Sequence, residues 1–293
     1  MPDVGDVMID ELLQRCTFPA VGTAVSCGVS GGADSTALLV LAVAAGCSVT
    51  AIHVDHRLRR GSKYEADVVA ATAARFGARF EARQVDVGEG PNLEARARAA
   101  RYGVLPGDVL TGHTADDQAE TVLINLLRGA AAAGLSGIRP SLRRPLLGLR
   151  RADTTRLCST LAIAVVQDPS NDDPRHLRNR VRHELLPLLD DLAGRDLVPV
   201  VARQADLLRA DDDLLDELAS ALDPTDAVAL AAAPVALARR AVRRWLAGEH
   251  PPDAATVARV LAVARGAATA CELVGGDRVQ RSGQRLSRIP RSC

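Results

Sequence analysis

The sequence predicts an α/β fold, a doubly wound and mostly parallel sheet, followed by a C-terminal helical domain. Three observations predict it. Apolar strand-like runs near 23–30, 48–55, 79–87, 108–112 and 162–167 alternate with helical patterns at 34–45, 63–76, 92–102, 115–128 and 150–161. Gly46, Gly77 and Gly103 stand at helix ends, where a C-cap is wanted. From about Asp196 the texture changes to helices near 196–222, 234–248 and 254–265, rich in Ala, Leu, Val and Arg and punctuated by Pro224 and Pro234. Strands separated by helices imply a sheet covered on both faces. In such sheets ligands bind beyond the carboxyl ends of the strands, which singles out the loops after Val29, Val54 and Gly112.

The remaining elements follow in order. Residues 4–16 read as a short amphipathic helix. Residues 129–149 show no period and read as a long loop, of the kind that is usually functional or mobile. Residues 271–289 carry two short β-like runs and read as a small hairpin. The expected division is 1–190 and 191–293.

Bulk composition excludes several classes. The chain has 293 residues, 47% of them hydrophobic, and a net charge of zero. It carries no 18-residue apolar run, so no membrane span is expected. Acids at Asp3, Asp6, Asp10 and Glu11 do not read as a secretory signal. Six cysteines, none in a C-x-x-C pair, fit neither a zinc site nor a disulfide framework, and a reducing cytoplasm is the expected setting. Charge is unevenly spread. Residues 121–152 hold six arginines (Arg128, Arg139, Arg143, Arg144, Arg150, Arg151) and no acid, and Arg175, Arg178, Arg180 and Arg182 follow. Guanidinium forks suit phosphates and stacked bases.

The most informative stretch is Ser30-Gly31-Gly32-Ala33-Asp34-Ser35, between an apolar strand and an apolar helix. Two glycines and two hydroxyls at a helix start form a nest of donors for a polyanion such as pyrophosphate. Asp34 fits there only with a cation between it and the phosphates, and Mg²⁺ is the candidate. The loop is neither G-x-x-x-x-G-K-S/T nor G-x-G-x-x-G, and the chain's only lysine is Lys63. A capped turn before a buried helix is the plainer reading, but it requires neither Gly-Gly nor two hydroxyls.

The second constellation is Gly112-His113-Thr114-Ala115-Asp116-Asp117-Gln118-Ala119-Glu120-Thr121, again between strand and helix. Helical spacing places 113, 117 and 120 on one face, with 116 and 120 one turn apart. Acids at a helix start also serve as dipole partners. The sharper reading is Mg²⁺ binding and proton management beside the phosphate loop. His53-Val54-Asp55-His56 ends the second strand, and its histidines line a nucleotide pocket or cap a loop more readily than they hold zinc. Glu94 and Arg98 form an i, i+4 pair on a basic helix.

Together these stretches resemble the bacterial tRNA(Ile)-lysidine synthetases, N-type PP-loop ATP pyrophosphatases. The resemblance covers roughly residues 20–190: SGGADSTAL (30–38), HVDH (53–56), EARARAARY (94–102), GHTADDQAET (112–121), Leu-Leu-Arg-Gly at 126–129, Arg-Pro-Leu-Leu at 144–147 and DPSNDDPRHLRNRVRHELLP (168–187). It implies an adenine nucleotide α-hydrolase-like sheet, with ATP and Mg²⁺ as cofactors. It implies ligation of free L-lysine to C2 of the wobble cytidine of tRNA(Ile) with a CAU anticodon, through an adenylated tRNA. Ser30, Gly31, Gly32, Ala33, Asp34, Ser35 and His53 would then bind the nucleotide. Asp34, His113, Asp117, Glu120 and Arg128 would be catalytic, and Asp34 and Asp117 would be the metal ligands. Asp116, Arg178, Asn179 and Arg182 would bind substrate, with Asp117, Asp116 and Glu120 serving either Mg²⁺ or the lysine amine. The arginine-rich loop and the helical tail would meet tRNA, and a homodimer is left open. The family usually has a glycine where this chain has Ala131, which predicts a stiffer or displaced loop. The tail is short beside multi-domain members.

Three alternatives stand beside this reading. A PP-loop tRNA thiolase would commonly use paired cysteines, which are lacking. A PP-loop amidotransferase or ligase acting on a small molecule would leave the arginine block unexplained. A tRNA-binding module without catalysis would show a damaged phosphate loop, and this one is intact.

Overall fold

The computed structural model describes residues 4–55, 62–86, 88, 90, 93–167, 173–248 and 252–291. Two compact units divide the chain, Met1–Ala205 and Asp206–Cys293.

In the first unit, α1 (Val4–Leu13) precedes β1 (Ala24–Gly28), α2 (Ala33–Ala44), β2 (Ser48–Asp55), α3 (Ser62–Arg75), β3 (Arg79–Gln84) and α4 (Leu93–Val104). The three strands form a parallel sheet in the order β1-β2-β3, with Val25 opposite Val49 and Ala51 opposite Phe80. The fourth expected strand, 108–112, is a single parallel bridge between Cys27 and Leu110. It is fastened by Gly28 N–H to Leu110 O at 2.9 Å and Leu110 N–H to Ser26 O at 2.8 Å. The fifth, 162–167, is not a strand. Its Val166 N–H bonds Gly31 O at 2.9 Å, so its backbone is spent on the loop after β1 rather than on a sheet edge. With β2 on one side of β1 and Leu110 on the other, the strand order reverses at β1, and the crevice beyond its carboxyl end is the ligand position of such sheets.

The core lies between the sheet, α1, α2 and the helix at Arg151–Thr160. Leu38, Leu39, Leu41, Leu146, Leu149 and Leu157 are fully buried in it. Burying a leucine contributes about 1.5–3 kcal/mol, so this cluster fixes α2 and the segment 146–157 against one another. α5 (Ala115–Leu127) is followed by α6 (Ala132–Leu135), a short helix inside the stretch expected to be an irregular loop. That stretch is pinned to α5. Asn125 Nδ2 donates to Gly134 O at 2.8 Å, and Gln118 Oε1 accepts from Ile138 N–H at 2.5 Å. Ala131 caps α6 with φ −83° and ψ −174°, an extended conformation that needs no glycine. α7 (Arg151–Thr160), α8 (Leu177–Arg180), a π-helical turn (Val181–Leu185), α9 (Leu186–Ala193) and α10 (Val198–Ser220) follow, and the division between the units falls within α10.

The second unit holds α11 (Ala227–Ala232), α12 (Val235–Leu246) and α13 (Ala254–Ala264). Their apolar faces meet Val279 and Leu286 of an antiparallel sheet in the order β4-β5-β6 (Ala270–Glu272, Arg278–Ser282, Arg285–Ile289). The hairpin expected at 271–289 therefore gains a third strand. Among the described residues no helix is long and apolar enough to cross a membrane.

Candidate active site

The loop after β1 is closed by its own hydroxyls. Ser35 Oγ accepts from Ser30 N–H at 3.1 Å, lies 3.1 Å from Ser30 Oγ and donates to Gly32 O at 3.0 Å. Gly31 has φ +91°, a conformation L side chains rarely adopt, and a Cβ there would stand 2.7 Å from Val166 Cγ2. The backbone N–H groups of Ala33, Asp34 and Ser35 form the first turn of α2, whose donors have no carbonyl partner within the helix. They face the crevice end of β1 together with the positive end of the helix dipole.

Gly112 lies under that turn. A Cβ on it would fall 2.6 Å from Asp34 O, so the second constellation touches the first through bare backbone. α5 begins only at Ala115, with Thr114 as its N-cap, so His113 precedes the helix instead of sharing the face of Asp117 and Glu120. Its Nδ1 lies 2.8 Å from Thr111 Oγ1. Asp117 closes a capping box on Thr114, the helix-start role anticipated for it. Its Oδ2 accepts from Thr114 N–H at 2.9 Å and from Thr114 Oγ–H at 3.1 Å, while Oδ1 stands 3.5 Å from Arg151 Nη2.

Around α5 four carboxylates meet four guanidiniums. Asp116 is gripped by the Arg150 fork, Nε at 3.0 Å and Nη2 at 3.1 Å, and by Arg151 N–H at 2.8 Å. Arg150 also pairs with Asp196. Glu120, with no exposed surface, accepts from Arg182 at 2.7 and 3.2 Å and from Arg151 at 3.1 Å, and Arg178 Nε lies 3.4 Å away. Arg151 Nε is 3.5 Å from Asp34 Oδ2, and Asp34 also accepts from the Thr154 hydroxyl.

Local structure explains the convergence. Arg178 and Arg182 are four residues apart, and the π-helical turn that begins at Val181 carries the second of them. Val181 and Leu186 pack with Ala119, Leu123 and Ile124 of α5, which holds that turn against the helix bearing Glu120. π-turns of this kind occur mostly where function fixes a side chain.

Burial raises the pKa of the Asp34 carboxyl, and nearby Asp117 adds to this. The Thr154 hydroxyl and Arg151 oppose it without cancelling it. For Asp116 burial pushes upward too, but the Arg150 fork and the Arg151 N–H hold it below its ordinary value. Arg151 would be lowered by burial, and Glu120, Asp117 and Asp34 keep it above its ordinary value.

The other expected residues lie as follows. His53 is buried with Nδ1 2.9 Å from Val29 O, at the base of the loop, and its Nε2 is buried without a hydrogen-bond partner. Asn179 donates to Asp173 O at 2.9 Å and fastens the turn before α8. Arg128 is the exposed C-cap of α5, about 12 Å along the axis from Glu120 at 1.5 Å per residue, so the structure does not bring it to the carboxylates. His56 and residues 168–172 lie outside the described residues, as do the side chains of Glu94 and Arg98. Reading by motif missed Arg150, Arg151 and Thr154 as site residues. A signal was present: two arginines at the start of α7 oppose the helix dipole, a cost that neighbouring carboxylates offset.

Comparison with known proteins agrees with this geometry. A family model described as the PP-loop domain matches residues 7–189, and one described as the TilS substrate binding domain matches residues 226–287. The tRNA(Ile)-lysidine synthase of Nocardia farcinica is 46% identical over 78% of this chain and 77% of its own. That of Rhodococcus erythropolis is 45% identical over 74% and 72%. The chain belongs to the tRNA(Ile)-lysidine synthase family. In fold it is similar to the U34-tRNA thiolase NcsA from Methanococcus maripaludis, with a TM-score of 0.53 and 17% identity over 70% of this chain and 78% of that one. Family membership places an ATP-using PP-loop domain on the first unit and sets the thiolase reading aside.

Proposed function

We propose that this chain ligates lysine to C2 of the wobble cytidine of tRNA(Ile) bearing a CAU anticodon, at the expense of ATP. One observation carries the reading. Asp34 of the glycine-serine loop and Asp117 of α5 converge on a single guanidinium at the crevice end of β1. Two carboxylates turned to one cation beside a polyphosphate cradle fit Mg²⁺, which commonly takes one or two carboxylates plus substrate phosphates. Asp34 and Asp117 would hold it, and it would neutralise charge on the departing pyrophosphate.

The rest falls to the protein's own groups. The N–H groups at the start of α2 and the hydroxyls of Ser30 and Ser35 hold the triphosphate for in-line attack. The C2 oxygen of an unstacked cytidine attacks the α-phosphorus as the bond to the pyrophosphate oxygen breaks. The neutral ε-amine of lysine then attacks C2 and loses its proton, and AMP departs with the C2 oxygen. Asp116, Arg178 and Arg182 border the substrate side, with His113 at the mouth of α5 as a proton carrier. Glu120 lies beneath three guanidiniums and positions them. The 129–151 arginine segment and the second unit offer phosphate contacts to tRNA, so affinity falls with salt.

Pyrophosphate release from ATP, measured with a CAU-anticodon tRNA transcript, tests this reading. Asp34→Asn and Asp117→Asn each lower the rate at least about 100-fold, the scale of losing one charge stabiliser. Unchanged release in both removes these carboxylates from the reaction.

A further inference from the structure

The four carboxylates of the site do not share their cations equally. Asp116 is satisfied by Arg150 and the Arg151 N–H. Glu120 has Arg178 and Arg182 in addition to Arg151. For Asp34 and Asp117, Arg151 is the one cation in ion-pair contact among the described residues, 3.5 Å from each. If its side chain turned away, Glu120 would keep two guanidiniums. Asp34 and Asp117 would keep their hydrogen bonds from Thr154 and Thr114 but become partly buried charges without a cationic partner, which is costly unless another cation enters.

The anchoring permits that turn. The Arg151 backbone is tied through its N–H to Asp116, so only side-chain torsions need change. The Arg151 side chain is 26% exposed, and so is that of Asp34, whereas Glu120 beneath is closed off. A guanidinium at the first position of a helix is held against the dipole by its carboxylates. Released from them, it is drawn to any polyanion seated on the adjacent loop.

Resting on the proposed cation site, we infer that Arg151 is its resident counter-ion. The guanidinium stands where the divalent cation binds, and cation and nucleotide together turn it out toward the triphosphate. Arg151 is thus a positioning residue that couples the two ligands. A bare cation must evict a guanidinium that can turn only to solvent, while a cation arriving with phosphates gives it an anion to meet. Coupling of this kind is reciprocal, so the nucleotide also binds more tightly with the cation.

The test is Mn²⁺ binding to the full chain, with and without a non-hydrolysable ATP analogue, followed in electron paramagnetic resonance by the loss of the free-ion spectrum beyond that caused by the analogue alone. Wild type takes up Mn²⁺ with the analogue and at least about tenfold more weakly without it. Arg151→Gln binds Mn²⁺ without analogue at least about tenfold more tightly than wild type, and Arg151→Lys, which keeps the charge, stays near wild type. Unchanged or weaker nucleotide-free binding in Arg151→Gln overturns the inference while leaving the cation site standing. Absence of Mn²⁺ uptake by wild type with analogue removes the cation site and the inference with it. Should the glutamine variant not fold, the Arg151 Nε–H resonance of ¹⁵N-arginine-labelled wild type, assigned by its loss in Arg151→Lys, decides. It moves on adding Mg²⁺ with the analogue and not with Mg²⁺ alone, and a stationary signal overturns the inference.

Discussion

The phosphate loop and the carboxylate–arginine cage sit side by side at the end of β1, but they are held by opposite means. The loop is a local object: its closing hydrogen bonds join residues no more than five apart. The cage joins residues 31 to 120 apart, from Arg151 with Glu120 to Thr154 with Asp34. A local object is specified by a short string of residues and survives small changes elsewhere. A nonlocal one exists only when the whole unit has folded, and each member depends on the others. Changes at the buried base of the cage therefore cost stability as well as chemistry, and changes in the loop mainly cost nucleotide binding.

The largest effect is expected at Glu120. Glu120→Ala leaves the partly buried guanidiniums of Arg178 and Arg182 without their carboxylate and destabilises the first unit by about 3 kcal/mol, read from denaturant unfolding. A loss below about 1 kcal/mol would show that the cage is decoration. Next is Gly112→Ala, whose Cβ must displace the Asp34 carbonyl 2.6 Å away. It lowers ATP affinity at least about tenfold, measured by calorimetry, because it shifts the loop from beneath. Here, as where Val166 N–H bonds Gly31 O, the nonlocal structure reaches the local one.

Asp34 and Asp116 give opposite pH signatures. The folded pKa of Asp34 is raised, so its ionisation at neutral pH costs stability, a cost that appears as pH rises through the folded value and is absent below the unfolded value near 4. Asp34→Asn should therefore raise Tm at pH 7 while abolishing pyrophosphate release, with the Tm gain fading toward pH 4. The folded pKa of Asp116 is lowered, so its pairing with Arg150 stabilises above about pH 4 and is lost as pH falls through the folded value. The Tm deficit of Arg150→Met should be full at pH 7 and shrink below pH 4. The smallest effect belongs to the loop itself. Ser35→Ala removes one hydroxyl bridge and costs about 1 kcal/mol, seen as a severalfold weaker nucleotide affinity with Tm nearly unchanged.

The same contrast explains what the sequence made legible. Ser30 to Ser35 and Thr114 to Glu120 were readable because loop, helix start and side chains are adjacent in the chain. The expected strand at 108–112 is reduced to one bridge at Leu110, and that at 162–167 is spent on Gly31, because apolar runs report burial and not the partner that uses their backbone. Arg150 and Arg151 were visible only as part of a basic block. That they grip Asp116, Asp117 and Glu120 depends on how α7 packs beside α2, a tertiary fact with no local mark except two cations at a helix start. Arg128 shows the converse: its motif neighbours point to the site, while the axis of α5 carries it away.

The most direct measurement is incorporation of radiolabelled lysine into an unmodified tRNA(Ile) transcript with a CAU anticodon, with and without ATP and Mg²⁺. The account predicts ATP-dependent transfer that disappears when the wobble cytidine is replaced. ATP cleavage to AMP and pyrophosphate without lysine transfer would contradict it and assign the site to another acceptor.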